Sequence, residues 1–144
     1  VSMTVFEEFC SSIKSGDLGF FADILEITPS NVMDGGRILT AQRYVKSWIA
    51  DKLNTASYSI IPAEHFRAVY HVMTEHNPII NQRQFKKQLN KNHIDTETRK
   101  RPAFGGRDSN PIRGVVVNWT TPEETAKHLA DEYFESEDKV LLSV

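Results

Sequence analysis

Residues 81–119 read NQRQFKKQLNKNHIDTETRKRPAFGGRDSNPIRGVVVNW, and the expected fold class follows from their pattern. The first ten residues predict a helix, because an asparagine stands at the N-cap position and Phe85 and Leu89 recur at the spacing of one helix face. After this helix the spacing of apolar residues changes from a helical to a strand-like pattern. A threonine-containing segment at 95–101 and a β-branched run at 112–119 predict two strands around a basic, glycine-containing loop.

Positive charge is concentrated in this stretch. The whole chain has a formal net charge of −2, but residues 83–113 carry nine Lys and Arg against three Asp and Glu. The flanking residues 1–82 and 114–144 have net charges of −3 and −5. Such a local excess of cations is typical of a surface that binds phosphate groups, and a solvated basic face without a ligand is the alternative.

Two short helices are predicted at the start of the chain. Thr4 followed by Glu7 has the spacing of a capping box, and this helix should stop near Gly16. Asp17 is a candidate N-cap for the second helix. The turn-forming residues that follow predict a boundary at residues 34–38, between an N-terminal piece and the main domain.

The main domain should continue with two helices and a short strand. Thr40 is the expected cap of a helix over residues 40–53, which carries apolar residues along one face. Residues 57–61 are short and β-prone, and Pro62 can sit in the first turn of the next helix. That helix should end near residues 76–78, because proline disfavours helical backbone in the residue before it.

The C-terminal part of the chain is acidic and helical. Thr121, Pro122 and Glu124 provide a cap, a proline at the first helical position and a capping-box acid. An acidic run follows at residues 135–138. The sequence leaves open whether this acidic tail folds back over the basic stretch and masks it.

Three helices followed by a two-stranded hairpin is the order of elements in a winged helix-turn-helix. We therefore expect a mainly α fold with a small β-wing, in the α+β class, with additional N-terminal and C-terminal helices. The expected divisions are a helical N-terminal piece at 1–38, a winged-helix domain at 39–120, and an acidic C-terminal helix and tail at 121–144.

The predicted nucleic-acid-binding residues lie on the helix at 81–90 and on the hairpin. If six to nine cations contact phosphates, the log–log dependence of affinity on salt should have a slope of about −5 to −8 on duplex DNA. Arg83 and Gln84 can also meet guanine and adenine edges, although such side chains are commonly phosphate ligands or solvated. The predicted set is Arg83, Gln84, Lys86, Lys87, Lys91, Arg99, Lys100, Arg101, Arg107 and Arg113.

Catalytic residues, a metal site and a cofactor are not expected. His71 and His76 are not at the i, i+4 spacing that places two imidazoles on one helix face. Cys10 lies on an apolar helix face, as a small core residue would. Asp95 and Glu97 are expected to neutralise their own basic strand rather than to pair for acid–base chemistry.

Composition excludes several classes of protein. A chain of 144 residues with 40% hydrophobic and 25% charged residues can bury the core of one ordinary domain, but a large barrel or a multidomain enzyme does not fit. No stretch approaches the roughly 18 apolar residues of a membrane span, so no membrane partner is expected. The single cysteine excludes a disulfide scaffold and indicates a reducing compartment such as cytoplasm. The chain begins at Val1, and we expect it to be part of a longer protein.

Residues 39–119 resemble the C-terminal winged-helix region of phage, plasmid and large-DNA-virus primase-helicases, the superfamily 3 helicase type. In that family a helix ending in an aromatic residue and a turn precede a polar-Arg-x-Phe-x-x-x-Leu helix and an Arg-Gly-aliphatic returning strand. The resemblance covers a little over half the chain, and the acidic helix after Thr121 has no counterpart in it. The similar segments are 44–49 (YVKSWI), 65–73 (HFRAVYHVM), 81–89 (NQRQFKKQL) and 112–117 (IRGVVV).

The resemblance implies a non-catalytic DNA-binding accessory domain of a phage-type replication protein, which joins a primase-polymerase to an ATP-dependent helicase. Residues 1–38 would be the tail of the helicase module, and the protein would act in the host cytoplasm. Its partners would be duplex or forked DNA and other domains or subunits of the parent. ATP hydrolysis is not carried over, because the chain has no Gly-x-x-x-x-Gly-Lys-Ser/Thr phosphate loop.

Two other hypotheses stay open at the level of sequence. The chain could be an oligomerisation or interdomain assembly module without direct DNA contact, since a fold does not by itself imply a function. It could also be a small hydrolase or nuclease, because catalytic carboxylates can be scattered along a sequence.

Overall fold

The computed structural model describes residues 4–29, 32–55, 58–75, 79–103, 109–135 and 138. Within these ranges the chain is mainly helical with a small three-stranded antiparallel sheet, an α+β arrangement. The helices are α1 (Val5–Ser15), α2 (Leu18–Ala22), α3 (Val32–Thr55), α4 (Ala63–Met73), α5 (Gln82–Lys91) and α6 (Glu123–Tyr133), and a 3-10 turn follows α2 at Asp23–Glu26. The strands are β1 (Tyr58–Ile61), β2 (Thr98–Lys100) and β3 (Ile112–Asn118).

The predicted caps of the first two helices are confirmed. Thr4 caps α1, because its hydroxyl accepts a hydrogen bond of 3.1 Å from the Glu7 N–H. Gly16 ends α1 in the left-handed conformation with φ 72, which glycine adopts without strain. Asp17 caps α2 by accepting from the Gly19 N–H at 3.0 Å. These contacts join residues two to four positions apart, so local sequence is sufficient to predict them.

The loop predicted at residues 34–38 is wrong, because α3 runs unbroken through these residues. Thr40 lies inside this helix and is not its N-cap; its hydroxyl donates to the Gly36 carbonyl at 2.8 Å. Glycine in a helix costs about 1 kcal/mol relative to alanine, and packing offsets that cost here. The buried Gln42 side chain donates to the Ile24 carbonyl at 2.9 Å, which ties α3 to the preceding turn.

The end of α4 also differs from the prediction. Pro62 is the N-cap of α4 and not a residue of its first turn, and the helix ends at Met73. Glu75 follows with φ 57, a left-handed residue of the kind that terminates helices. Residues 76–78, where the end was predicted, lie outside the described residues.

Thr121 is not the cap of α6, which begins after Pro122 without a side-chain capping bond. The Thr121 hydroxyl instead accepts a hydrogen bond of 2.8 Å from the Leu18 N–H and contacts the Gly16 carbonyl at 3.3 Å. The first N–H groups of a helix lack partners within it, so a buried helix start needs an acceptor from elsewhere. Thr121 supplies that acceptor for α2.

The predicted hairpin is present, and it belongs to a three-stranded sheet. β3 is the central strand and pairs antiparallel with β1 and β2, in the order β1-β3-β2. The register places Ile61 opposite Val115 and Arg99 opposite Arg113. The tip of the predicted glycine-containing loop, at 104–108, lies outside the described residues.

Gly114 allows β3 to pass close to the end of β1. A Cβ at this position would collide with the Ile61 carbonyl group and would lie 2.8 Å from the Pro62 nitrogen. Because these are backbone atoms of a paired strand, we expect Gly114→Ala to lower the free energy of unfolding by about 2–4 kcal/mol in urea denaturation. Val116→Ala, on the same strand, is the control and should cost about 1 kcal/mol. Equal stability of Gly114→Ala and the unmodified protein would contradict the close approach.

A shared aromatic core joins the N-terminal helices to the rest of the chain. The Phe9 ring is fully buried and makes edge-to-face contacts, with centroid separations of 5.2 to 6.2 Å. Its partners in these contacts are Phe21, Phe66, Tyr70 and Phe85. Residues before the predicted boundary therefore pack in the same core as α4 and α5.

Candidate nucleic-acid interface

Helix α5 has one buried face and one cationic face. Phe85 and Leu89 are 0% exposed, which confirms the predicted apolar stripe. Arg83, Lys87 and Lys91 are exposed and follow one another at i, i+4 spacing, so they form a row about 12 Å long. The helix contains no acidic residue. In the described part of the chain, none of these three cations forms a salt bridge.

The start of α5 is held by neighbouring side chains. The Asn81 side chain accepts from the Gln84 N–H at 2.9 Å, so the predicted N-cap is confirmed. Arg67 of α4 donates to the Gln82 side-chain oxygen at 3.0 Å and to the Ile80 carbonyl at 3.1 Å. The cationic row is therefore carried by a helix with a fixed position against α4.

The hairpin brings further cations next to α5. Arg99 and Arg113 are directly opposite one another in the sheet, and both are exposed. Like charges at such a pair destabilise a sheet. The Glu97 carboxylate lies beside them, with Oε2 at 3.6 Å from the Arg113 Nε and Oε1 at 3.4 Å from the Lys86 Nζ. Glu97 thus links α5 to the hairpin.

Lys100 and Arg101 are held differently from Arg99. The Lys100 Nζ lies 4.0 Å from the centroid of the Tyr58 ring, a cation–π contact. The Tyr58 hydroxyl donates to the Arg101 carbonyl, and the Arg101 side chain is exposed. Because successive strand residues point to opposite faces, Lys100 stands on the other face of the hairpin from Arg99.

Most of the predicted binding residues therefore share one surface. We call the exposed side of α5 together with the adjoining pair of hairpin arginines the α5–hairpin surface. Arg107 lies outside the described residues, Lys100 is directed to the other face, and Arg101 follows the last residue of β2, where no contact joins its side chain to this surface within the described residues. The surface consists of Arg83, Gln84, Lys86, Lys87, Lys91, Arg99 and Arg113.

Sequence reasoning missed Lys14. This exposed residue of α1 lines a groove of about 800 Å³ between α1 and α5, together with Lys91, Gln88 and Asn92. It extends the α5–hairpin surface onto α1. Lys14 is an isolated cation in an acidic part of the sequence, so no local signal connects it to the basic stretch.

Comparison with known proteins does not identify a relative. No family model, curated protein or solved structure matches this chain. Within the ranges that the structure describes, no helix combines the length and the apolar composition needed to cross a bilayer. A function for this chain therefore has to be assigned from its own charges, contacts and geometry.

The side chains best suited to chemistry have structural roles. The His71 Nε2 accepts a hydrogen bond of 3.0 Å from the Ile80 N–H. The His65 ring stacks on Tyr44 with centroids 3.9 Å apart, and burial lowers the pKa of His65. Cys10 is 1% exposed, and burial raises its pKa to about 11, so this thiol is protonated and a poor nucleophile near neutral pH.

The two carboxylates before β2 make different contacts. The Asp95 carboxylate accepts from the Glu97 N–H at 2.8 Å and from the Thr98 hydroxyl at 3.0 Å, which closes the turn before the strand. The prediction that Glu97 neutralises its own strand is wrong, because its ion pairs reach Lys86 on α5 and Arg113 on β3. Among the described residues, no group of three or more His, Cys, Asp and Glu side chains could hold a metal ion.

The described part of the acidic tail contacts α3 and not the hairpin. The Asp138 carboxylate lies 2.8 Å from the Lys46 Nζ. Burial alone would raise the pKa of Asp138, but the hydrogen bond from Lys46 lowers it overall. The Tyr133 hydroxyl, near the end of α6, donates to the Glu26 carboxylate at 2.9 Å. These contacts direct the tail to α3 and the turn before it, and residues 139–144 lie outside the described chain.

Proposed function

We propose that this chain is a DNA-binding accessory domain without chemistry of its own, which holds duplex or forked DNA against the α5–hairpin surface. The observation that carries the proposal is the row of Arg83, Lys87 and Lys91 on a helix whose other face is buried. Within the described ranges these three side chains form no salt bridge, so their charges can bind phosphate oxygens. The opposed Arg99 and Arg113 add positive charge beside this row.

The element order supports a winged helix-turn-helix fold for residues 39–120. From α3 onward the chain runs helix, strand, helix, helix, strand, strand, and the sheet order is β1-β3-β2. In this interpretation α4 and α5 are the helix-turn-helix pair and the β2–β3 hairpin is the wing. A recognition helix enters the major groove, and residues near its N-terminus contact base edges. Arg83 and Gln84 occupy such positions on α5.

The resemblance to the winged-helix region of primase-helicases favours a parent of the phage replication type. In such a protein the domain would hold DNA close to the primase-polymerase or the helicase, in the host cytoplasm. The other domains or subunits of that parent would be its protein partners.

The first test is fluorescence anisotropy of labelled single-stranded, duplex and forked DNA between about 50 and 200 mM salt. We expect micromolar or tighter binding to duplex or forked DNA, with a log–log slope of about −5 to −8. The variant Arg99→Ala/Lys100→Ala/Arg101→Ala should bind more weakly, with a slope that is less negative by about 1, because of these three residues only Arg99 belongs to the α5–hairpin surface.

The control removes cations from other elements. Arg43 on α3 and Lys127 on α6 are exposed, and Arg43→Ala/Lys127→Ala should leave affinity within about twofold because DNA does not reach these helices in the proposed complex. Absence of binding to every DNA at the lowest salt would overturn the proposal. Equal losses in the wing variant and in the control would show attraction by net charge without a defined surface.

A second candidate function is an assembly module. Ile27 and Leu39 are 38% and 48% exposed and line one groove of about 600 Å³ with Tyr133, on the side formed by α3 and α6. Exposed apolar side chains in a groove are typical of protein interfaces, and the charged side chains that also line this groove, Arg43, Lys46, Glu135 and Asp138, would form the polar rim of such an interface. A chain that binds no DNA and that sediments as a dimer, returning to a monomer with Leu39→Asp, would favour this function.

A further inference from the structure

Glu97 is a carboxylate set among the cations of the α5–hairpin surface. Its two oxygens lie 3.4 Å from the Lys86 Nζ and 3.6 Å from the Arg113 Nε. Arg99 stands directly opposite Arg113 in the sheet. One carboxylate is thus in contact with two cations and adjacent to a third.

The backbone of Glu97 is fixed but its carboxylate is weakly held. The Glu97 N–H donates to the Asp95 carboxylate at 2.8 Å, which anchors the turn. The Glu97 side chain is 53% exposed, and both of its ion pairs are longer than the 2.7–2.9 Å that is typical of charge-assisted hydrogen bonds. An exposed ion pair of this kind adds little to stability. The side chain can therefore leave without disturbing the turn.

A phosphate group has the chemistry to replace this carboxylate. A backbone phosphate carries negative charge on oxygens that can accept from arginine in bidentate geometry and from lysine as a point charge. It would also neutralise the opposed Arg99 and Arg113, whereas in the free protein Glu97 pairs with Arg113.

We infer that Lys86, Arg99 and Arg113 form the binding site for one backbone phosphate of DNA, and that Glu97 is an internal anion that occupies this site until DNA displaces it. This inference rests on the proposed DNA-binding function and names the phosphate ligands and their competitor. Each binding event then includes the cost of breaking the Glu97 contacts, so the carboxylate lowers the affinity of the surface for DNA.

The test compares DNA binding of Glu97→Gln with that of the unmodified protein. Glutamine keeps the size of the side chain and removes its charge, so we expect duplex affinity to rise about five- to tenfold at low salt. Glu124→Gln is the matched control, because it removes one negative charge from an exposed side chain of α6, away from the α5–hairpin surface. It should change affinity by less than about twofold if competition within the site is the cause.

A double-mutant cycle separates competition from positioning. Under competition, Arg113→Ala weakens binding more in the Glu97→Gln background than in the unmodified protein, because Arg113 no longer has an internal partner. If Glu97 instead holds Arg113 in place for DNA, Glu97→Gln weakens binding, and that result overturns the inference. Equal gains in Glu97→Gln and Glu124→Gln also overturn it, because they would reflect net charge alone.

Competition with inorganic phosphate tests whether the site binds a phosphate of the DNA backbone or the free phosphate ion. At matched ionic strength, replacing chloride by phosphate should not release duplex from Glu97→Gln, because the other phosphate contacts hold the strand in the site. Release at millimolar phosphate would indicate a site for the free ion and overturn the assignment to DNA. If neither the unmodified protein nor Glu97→Gln binds DNA, the proposed DNA-binding function is overturned. If both bind with the same affinity, only the role of Glu97 is overturned.

Discussion

Replacing Arg83, Lys87 and Lys91 together by alanine is expected to weaken binding to duplex DNA by about 100-fold at low salt and to make the log–log slope less negative by about 3. The three side chains form the exposed row of α5 and lack salt-bridge partners in the described part of the chain. Each therefore brings its full charge to a phosphate without first breaking an ion pair. Anisotropy titrations across the same salt range measure both quantities.

These three substitutions should leave the stability of the fold unchanged. Alanine has the highest helix propensity, and no buried contact is removed, so the melting temperature should be unchanged or slightly higher. Gln88→Ala, a neutral exposed substitution on the same helix, is the control and should leave the salt slope unaltered. A triple variant that is folded and binds DNA with the unmodified slope would show that α5 does not contact phosphates.

Replacing Phe9 by alanine is expected to lower the free energy of unfolding by about 3–5 kcal/mol. The ring is fully buried, and its truncation would remove edge contacts to rings on α2, α4 and α5 and leave a cavity. Such a loss is a large part of the roughly 5–15 kcal/mol that stabilises a domain. Urea denaturation, monitored through the fluorescence of the buried Trp48 and Trp119, measures this loss of stability.

The same experiment tests whether the N-terminal helices are a separate unit. If α1 and α2 belong to the common core, Phe9→Ala shifts one cooperative transition to lower urea. Two separate transitions, with the tryptophan signal unshifted, would contradict a shared core. Val5→Ala, at a 47% exposed position of α1, is the control and should change stability by less than about 0.5 kcal/mol.

The aromatic core also links stability to the proposed DNA surface. The Phe85 ring of α5 lies 5.8 Å from Phe6 and 6.2 Å from Phe9, both on α1. The buried face of α5, the helix that carries the cationic row, therefore packs against α1. Residues 4–15 consequently contribute to the packing of the proposed binding domain, although the sequence suggested that they belong to an upstream module.

Sequence alone determined the elements whose signals are local. The caps Thr4, Asp17 and Asn81 and the buried pair Phe85 and Leu89 are confirmed, because each depends on residues within four positions along one helix. The concentration of positive charge between 83 and 113 is likewise a property of the sequence. These features predict a mainly helical chain with a hairpin and with cations on one face of α5.

Only the tertiary structure decided which distant groups meet. Helix α3 continues through two glycines, and Thr121 binds the start of α2, because partners far away in sequence outweigh the local preference for a loop or a cap. Tertiary packing also decides which charged side chains come together. The strand register sets Arg99 opposite Arg113, and the packing of α5 beside the hairpin brings Lys86 to Glu97. No local pattern encodes such contacts, because they form only when separate elements pack around one core.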